Sequence, residues 1–151
     1  MPNIRFIYEN DDYKLSRENV VTNICEAVST FLDLPVEIHI RFANLGPSVY
    51  GNTALDHRFK NRISINTVLS DEEIVQILVH ELIHLYQIHT GMLSVTRSGS
   101  YIWKNRSYKV DSYSSGDYKH YSQLPWELDV SQKEPQLLAD VNKYLENKKS
   151  T

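Results

Sequence analysis

The chain lacks the residues that usually staple a small protein. It holds a single cysteine, Cys25, among 151 residues. One cysteine excludes an intrachain disulfide framework and a cysteine-based metal cluster. A long hydrophobic run is also missing. No stretch approaches the ~18 consecutive apolar residues of a membrane span. "MPNIRFIYENDDYKLSREN" at the start has no apolar run of signal-peptide length. Both absences lead us to expect a cytoplasmic protein. Excess positive charge is missing too: 16 Lys and Arg face 19 Asp and Glu, for a formal charge of −3. That balance argues against a broad nucleic-acid surface and leaves room for a local basic patch.

What remains is ordinary in amount, with 41% hydrophobic and 23% charged residues. This composition suits one globular domain spanning 1–151. Three short apolar runs read as strands: Ile4 to Tyr8, Val36 to Phe42 and Arg62 to Asn66. Between the first two, Ser16 is a suitable N-cap for a helix to about Asp33. Its stripe is Val20, Ile24, Ala27, Val28, Phe31 and Leu32. Cys25 lies beside that stripe and reads as a small buried hydrophobe. "ANLGPSVYGNTALDHRFK" reads as a loop. His39, on the polar side of its strand, and His57, in the loop, have no partner at ligand spacing.

The strongest helix is "SDEEIVQILVHELIHLYQIHTG". Ser70 and Glu73 suit a capping box, Asp71 and Glu72 suit the positive end of the dipole, and Gly91 suits the C-terminal stop. From Leu93 to about Gln123 the pattern changes to Tyr, Ser and Lys. Six of the ten tyrosines lie between Tyr86 and Tyr121. "YIW" and "SYKV" can form a hairpin around "KNR". Downstream, Pro125 and Pro135 each suit a helix start, and Leu137, Leu138, Val141 and Leu145 give a final amphipathic helix.

Inside the strongest helix lies "HELIH". Residues i and i+4 of a helix share a face, so His80 and His84 can offer two imidazoles to one ion. Glu81 is turned about 100° from His80 and can reach past the ion to a water. This is the H-E-x-x-H pattern: two zinc ligands, and a carboxylate that takes a proton from the water. The competing reading is a buried helix with two histidines. A polar trio among Leu78, Val79, Leu82, Ile83 and Leu85 is costly to bury without partners, which favours the metal.

A catalytic zinc usually has three protein ligands and one open position. Gln87 and Thr90 occupy the places where the extended H-E-x-x-H-x-x-G-x-x-H form needs Gly and His, so that form fails. His89 points roughly 140° away from His84 on the same helix. In "LPWELDVS", Glu127 at the start of a later helix completes a His₂Glu set; Asp129 and His120 are the alternatives.

"HELIH" followed by "PWELD" resembles the small gluzincin-type metallopeptidases, compact single-domain relatives of thermolysin. "HELIHLYQ…TG" also resembles the core of SprT-like proteases, which use a histidine as third ligand. The resemblance implies an α+β, zincin-like fold, with a small twisted sheet on the active-site helix and C-terminal helices as the other wall. It implies zinc as cofactor, a protein or peptide substrate, ligands His80, His84 and Glu127, and Glu81 as general base. It assigns "RISIN" to an edge strand that pairs with extended substrate. Gluzincins carry an Asp four residues after the ligand Glu; here that place is Ser131, so Asp129 or Asp140 is left to orient a histidine. An oxyanion donor is also implied, from Tyr113, Tyr118, His120 or Tyr121, with Tyr121 preferred as the one six residues before Glu127. Two rivals accompany this reading. One is a zincin-like binding or regulatory protein. The other is a protease acting on DNA-bound protein, for which Lys104, Arg106, Lys109 and Lys119 interleave with Tyr101, Trp103 and Tyr108.

Overall fold

The computed structural model describes residues 2–8, 15–55, 60–108 and 123–149. Within them the chain is α+β, with a mixed sheet and three helices. Strands β1 (Asn3–Tyr8), β2 (Glu37–Ala43) and β4 (Arg62–Asn66) run parallel; β3 (Gly51–Thr53) adds antiparallel to β4. The order across the sheet is β1-β2-β4-β3. Helix α1 (Leu15–Ser29) makes the crossover that the parallel pair β1–β2 requires.

Alternation explains β2: Ile38, Ile40 and Phe42 are fully buried, while Glu37, His39 and Arg41 lie on the other face. Ile63 and Ile65 of β4 join them, with Val21, Ile24 and Val28 of α1. Burial of each such side chain is worth roughly 1.5–3 kcal/mol relative to exposure. Cys25 belongs to this core, and burial pushes its thiol up to about 12. Helix α2 (Asp71–His89) is central. It packs on α1 and α3 (Pro125–Lys149) and touches β3, β4 and β5.

A second, antiparallel sheet is built from β5 (Leu93–Val95), β6 (Tyr101–Trp103) and β7 (Arg106–Tyr108). The expected hairpin forms with a tighter turn: Lys104 and Asn105 both have positive φ (48° and 70°), and Arg106 is already in β7. A two-residue turn of this hand matches the twist of the flanking strands. Tyr101 stacks on Trp126 with ring centroids 5.2 Å apart, and Tyr108 meets the same ring edge-on at 5.8 Å. Trp103 is buried in that cluster with Leu93 and Leu124. The small sheet therefore seats the first turn of α3.

Four expectations change. β4 is interior, and the edge strand is β3, from the Gly- and Asn-rich stretch that reads as loop. Leu93–Val95 forms β5, a third strand beside the hairpin. Helix α1 begins at Leu15, one residue before the expected cap, and ends at Ser29 rather than Asp33. There the Ser29 and Thr30 hydroxyls turn back to donate to the carbonyls of Glu26 and Ala27 (2.6 and 2.7 Å). The C-terminal segment is one helix through Pro135, not two. Ser131 and Pro135 are both exposed, so the carbonyl that loses its i+4 donor is on the solvent side. No helix is long and apolar enough to cross a membrane among the described residues.

Candidate metal centre

Helix α2 begins with the capping box its sequence encodes. Ser70 Oγ accepts from the Glu73 amide (3.3 Å), and the Ser70 amide donates to Glu73 Oε1 (3.0 Å). It ends at Thr90, followed by Gly91 at φ +79°. Its apolar stripe buries Ile74, Leu78, Val79, Leu82 and Ile83 in the main core. That burial fixes the rotation of the helix. The opposite stripe, with His80, Glu81, His84 and Gln87, then faces β3 and the first turns of α3.

His80, His84 and Glu127 come together there. Their donor atoms all lie within 4.8 Å of one another. His84 Nε2 is 3.0 Å from Glu127 Oε1, and His80 Nε2 is 3.7 Å from Glu127 Oε2. The imidazole rings are 5.1 Å apart and steeply inclined, at 72°. Two ligand atoms bound to one tetrahedral zinc at about 2.05 Å stand about 3.3 Å apart. The separations of 3.0 and 3.7 Å, to the two oxygens of one carboxylate, straddle that value, so the three side chains could hold a metal ion.

The tautomer of His84 supports the same use. Gln87 is fully buried, and its amide nitrogen donates to the Trp126 carbonyl and to Asp129 Oδ2, both at 2.9 Å. With both N–H bonds committed, its amide oxygen faces His84 Nδ1 at 2.9 Å and accepts from it. Nδ1 therefore carries the proton in the neutral ring, and Nε2 presents a lone pair. That buried Nε2 makes no hydrogen bond despite its closeness to Glu127. A lone pair and a carboxylate repel unless a cation joins them. In the metal-free protein a proton serves: burial pulls His84 down, but the Glu127 carboxylate, then Glu81 and Gln87, outweigh it and push it up to about 9. A metal ion held there would satisfy Nε2 and the carboxylate without that proton.

His80 has the more open position, with its side chain 30% exposed. Its Nδ1 meets Glu134 Oε2 at 3.3 Å. Burial pulls this imidazole down too, while the Glu134 hydrogen bond and the Glu81 charge raise it overall.

Glu81 is buried beside the cluster without belonging to it. Burial raises its carboxyl above the usual range, against the lowering pull of His84, His80 and Thr53. Thr53 Oγ1 lies 2.9 Å from Glu81 Oε1 and 3.0 Å from the Glu81 carbonyl oxygen. Glu81, His84 and Glu127 open onto a cavity of about 100 Å³, whose walls include Gly51, Thr53, Leu55 and Trp126. The site thus has donors for a cation, a separate carboxylate, and space between them and the edge strand.

Among the sequence candidates, Asp129 stands outside the cluster; its carboxylate takes the Gln87 hydrogen bond and an ion pair from Lys133 at 2.9 Å. Asp140 pairs with Gln136 on α3. His89 approaches Asp33 instead, at 3.8 Å. His57, Lys109, Tyr113, Tyr118, Lys119, His120 and Tyr121 lie outside the described residues. Three contributors go unnoticed in the sequence. Gln87 and Glu134 had a signal: one is three residues after His84, the other seven after Glu127, both spacings that keep to one helix face. Thr53 had none, because only the folded sheet brings it to Glu81. No family model, curated protein or solved structure matches the chain.

Proposed function

We propose that the chain is a zincin-like, zinc-dependent peptidase of the gluzincin type. His80, His84 and Glu127 hold the ion, and Glu81 is the general base. The observation that carries this reading is the separation of roles: two histidines and one glutamate converge, while a second buried carboxylate, Glu81, lines the cavity with His84 and Glu127 and is not one of the three. A structural site usually closes with four protein ligands, whereas a catalytic one keeps a position open. A zinc ion bound there supplies a Lewis acid that polarises the scissile carbonyl and acidifies a water.

The chain's own residues do the rest. Glu81 takes the proton of the attacking water and passes it to the leaving amine nitrogen, a role suited by its raised affinity for a proton. Gln87 and Glu134 orient the two imidazoles. The outer edge of β3 is unpaired with any other strand among the described residues and borders the cavity, so extended substrate adds there as a further strand. The nucleic-acid rival has less support. Trp103 is buried, and Tyr101 and Tyr108 are packed on Trp126 rather than turned outward for stacking.

Two variants test the reading. Glu81→Gln is expected to keep about one zinc per chain by mass spectrometry and to lose 10²-fold or more of its hydrolysis of labelled casein. Glu127→Ala is expected to lose most of the zinc. Full hydrolysis in Glu81→Gln would remove Glu81 as the base, no hydrolysis by the zinc-loaded wild type would remove the peptidase reading, and full zinc in Glu127→Ala would remove the ligand set.

A further inference from the structure

Strand β3 meets Glu81 through Thr53, with Gly51 seated against α2 beside it. Gly51 and Thr53 are two residues apart on the strand and so point to the same face. A Cβ at Gly51 would stand 2.7 Å from Ile77 Cγ2, 3.2 Å from the Ser64 carbonyl oxygen and 3.4 Å from Glu81 Cγ. The strand backbone therefore approaches α2 as closely as only glycine permits. Two residues on, the Thr53 hydroxyl reaches both the carboxylate and the main-chain carbonyl of Glu81 (2.9 and 3.0 Å). One acceptor is at the tip of the side chain and the other is fixed in the helix.

We infer that Thr53 is a positioning residue for the base: its hydroxyl holds the Glu81 carboxylate at the cavity wall, and the close seat of Gly51 keeps that hydroxyl in reach. The inference rests on the peptidase reading above. A Glu side chain has three rotatable torsions, and a buried carboxylate must hold one of its positions to meet a water and then a leaving nitrogen. The bond to Oε1 restrains the tip and leaves Oε2 for the proton that moves. The helix carbonyl gives the same hydroxyl a second, immobile acceptor. Thr53 thus keeps its rotamer, with its donor satisfied, while the proton comes and goes on Oε2. Because β3 is also the strand along the cavity, base and substrate-facing edge are tied to one element.

The test compares Thr53→Val, Thr53→Ala and Thr53→Ser in the zinc-loaded full chain, with fluorescein-labelled casein as probe. Thr53→Val removes the hydroxyl and keeps the shape. It is expected to retain zinc and KM and to lose kcat roughly 10- to 100-fold. Thr53→Ala, which introduces no new methyl, is expected to do the same should the valine variant fold poorly. Thr53→Ser is expected to restore most of the rate. A readout without substrate accompanies it: the Tm losses of Thr53→Val and Glu81→Leu should be non-additive in the double variant, the mark of two groups in contact. Wild-type kcat in Thr53→Val or Thr53→Ala, a serine variant as slow as those two, or an additive cycle each overturns the Thr53 role. Cleavage by the wild type with an additive cycle overturns the inference alone. A coupled cycle with no cleavage by the wild type overturns the peptidase reading and the positioning role with it.

Discussion

His80 and His84 sit one turn apart on the same helix, yet their surroundings differ in kind. His84 is sealed between α2 and α3, its side chain 9% exposed, with a neutral amide on Nδ1 and a buried carboxylate before Nε2. His80 is 30% exposed and leans on a charged partner, Glu134, that is itself partly exposed. The difference follows from the helix packing. His84 faces Glu127 in the first turn of α3; His80 reaches from Glu127 to Glu134, about two turns further along that helix, and is the more exposed. One histidine is thus part of the architecture, and the other is carried on its rim. Glu134 sets a charge at the outer Nδ1 of His80, while the amide at the inner Nδ1 of His84 fixes a tautomer without adding charge to a buried place.

The comparison breaks most sharply in metal-free stability. His84→Ala takes the imidazole from beside buried Glu127, and the expected loss is about 3 kcal/mol in urea unfolding. His80→Ala removes a partly solvated contact and is expected to lose about 1 kcal/mol or less. Equal losses would erase the distinction. Zinc affinity offers a smaller contrast. Gln87→Leu removes the amide that orients His84 and bridges to Trp126 and Asp129. Chelator competition should show zinc binding weakened about 100-fold, against about 10-fold for Glu134→Ala. The pH dependence probes the inner histidine alone. His84 is raised from 6.5 to about 9 on folding, so the folded, metal-free chain holds a proton that the unfolded chain has released. The stability this contributes is fully present below pH 6.5 and is lost as pH rises through 9. Zinc must displace that proton, so the rise in Tm on adding zinc should grow between those two pH values. A Tm rise that is flat with pH would place the coupling elsewhere.

The two histidines also mark where the sequence could be read. "HELIH" and its capping box are local: spacing on one helix, a cap three residues from its partner, a glycine at the stop. Those features depend on hydrogen bonds between near neighbours, and they appear where expected. The pairing of "RISIN" was not local. Ile63 and Ile65 mark a strand, but its place inside the sheet depends on β3, three residues in a stretch dominated by turn formers. Its register comes from β4 and its seat on α2 from Gly51, and neither leaves a mark in the stretch itself. Glu127 was legible as a candidate because a helix start suits an acid, but its choice over Asp129 needed Gln87. That side chain ties Asp129 to the helix, outside the donor cluster. Pro135 misled for the opposite reason: the local rule is sound, and an exposed position lets water take over what the rule counts as lost.

The tie between α2 and the start of α3 has a meaning in time as well as in space. A ribosome makes both histidines and Glu81 well before it makes Glu127, which follows His84 by about forty residues. At roughly 5–20 residues per second that interval lasts a few seconds. During it the growing chain carries Glu81 but not the complete donor cluster. On the proposed reading, a nascent chain of this design would stay inactive until α3 docks. A bound ion would then also fasten that helix in place.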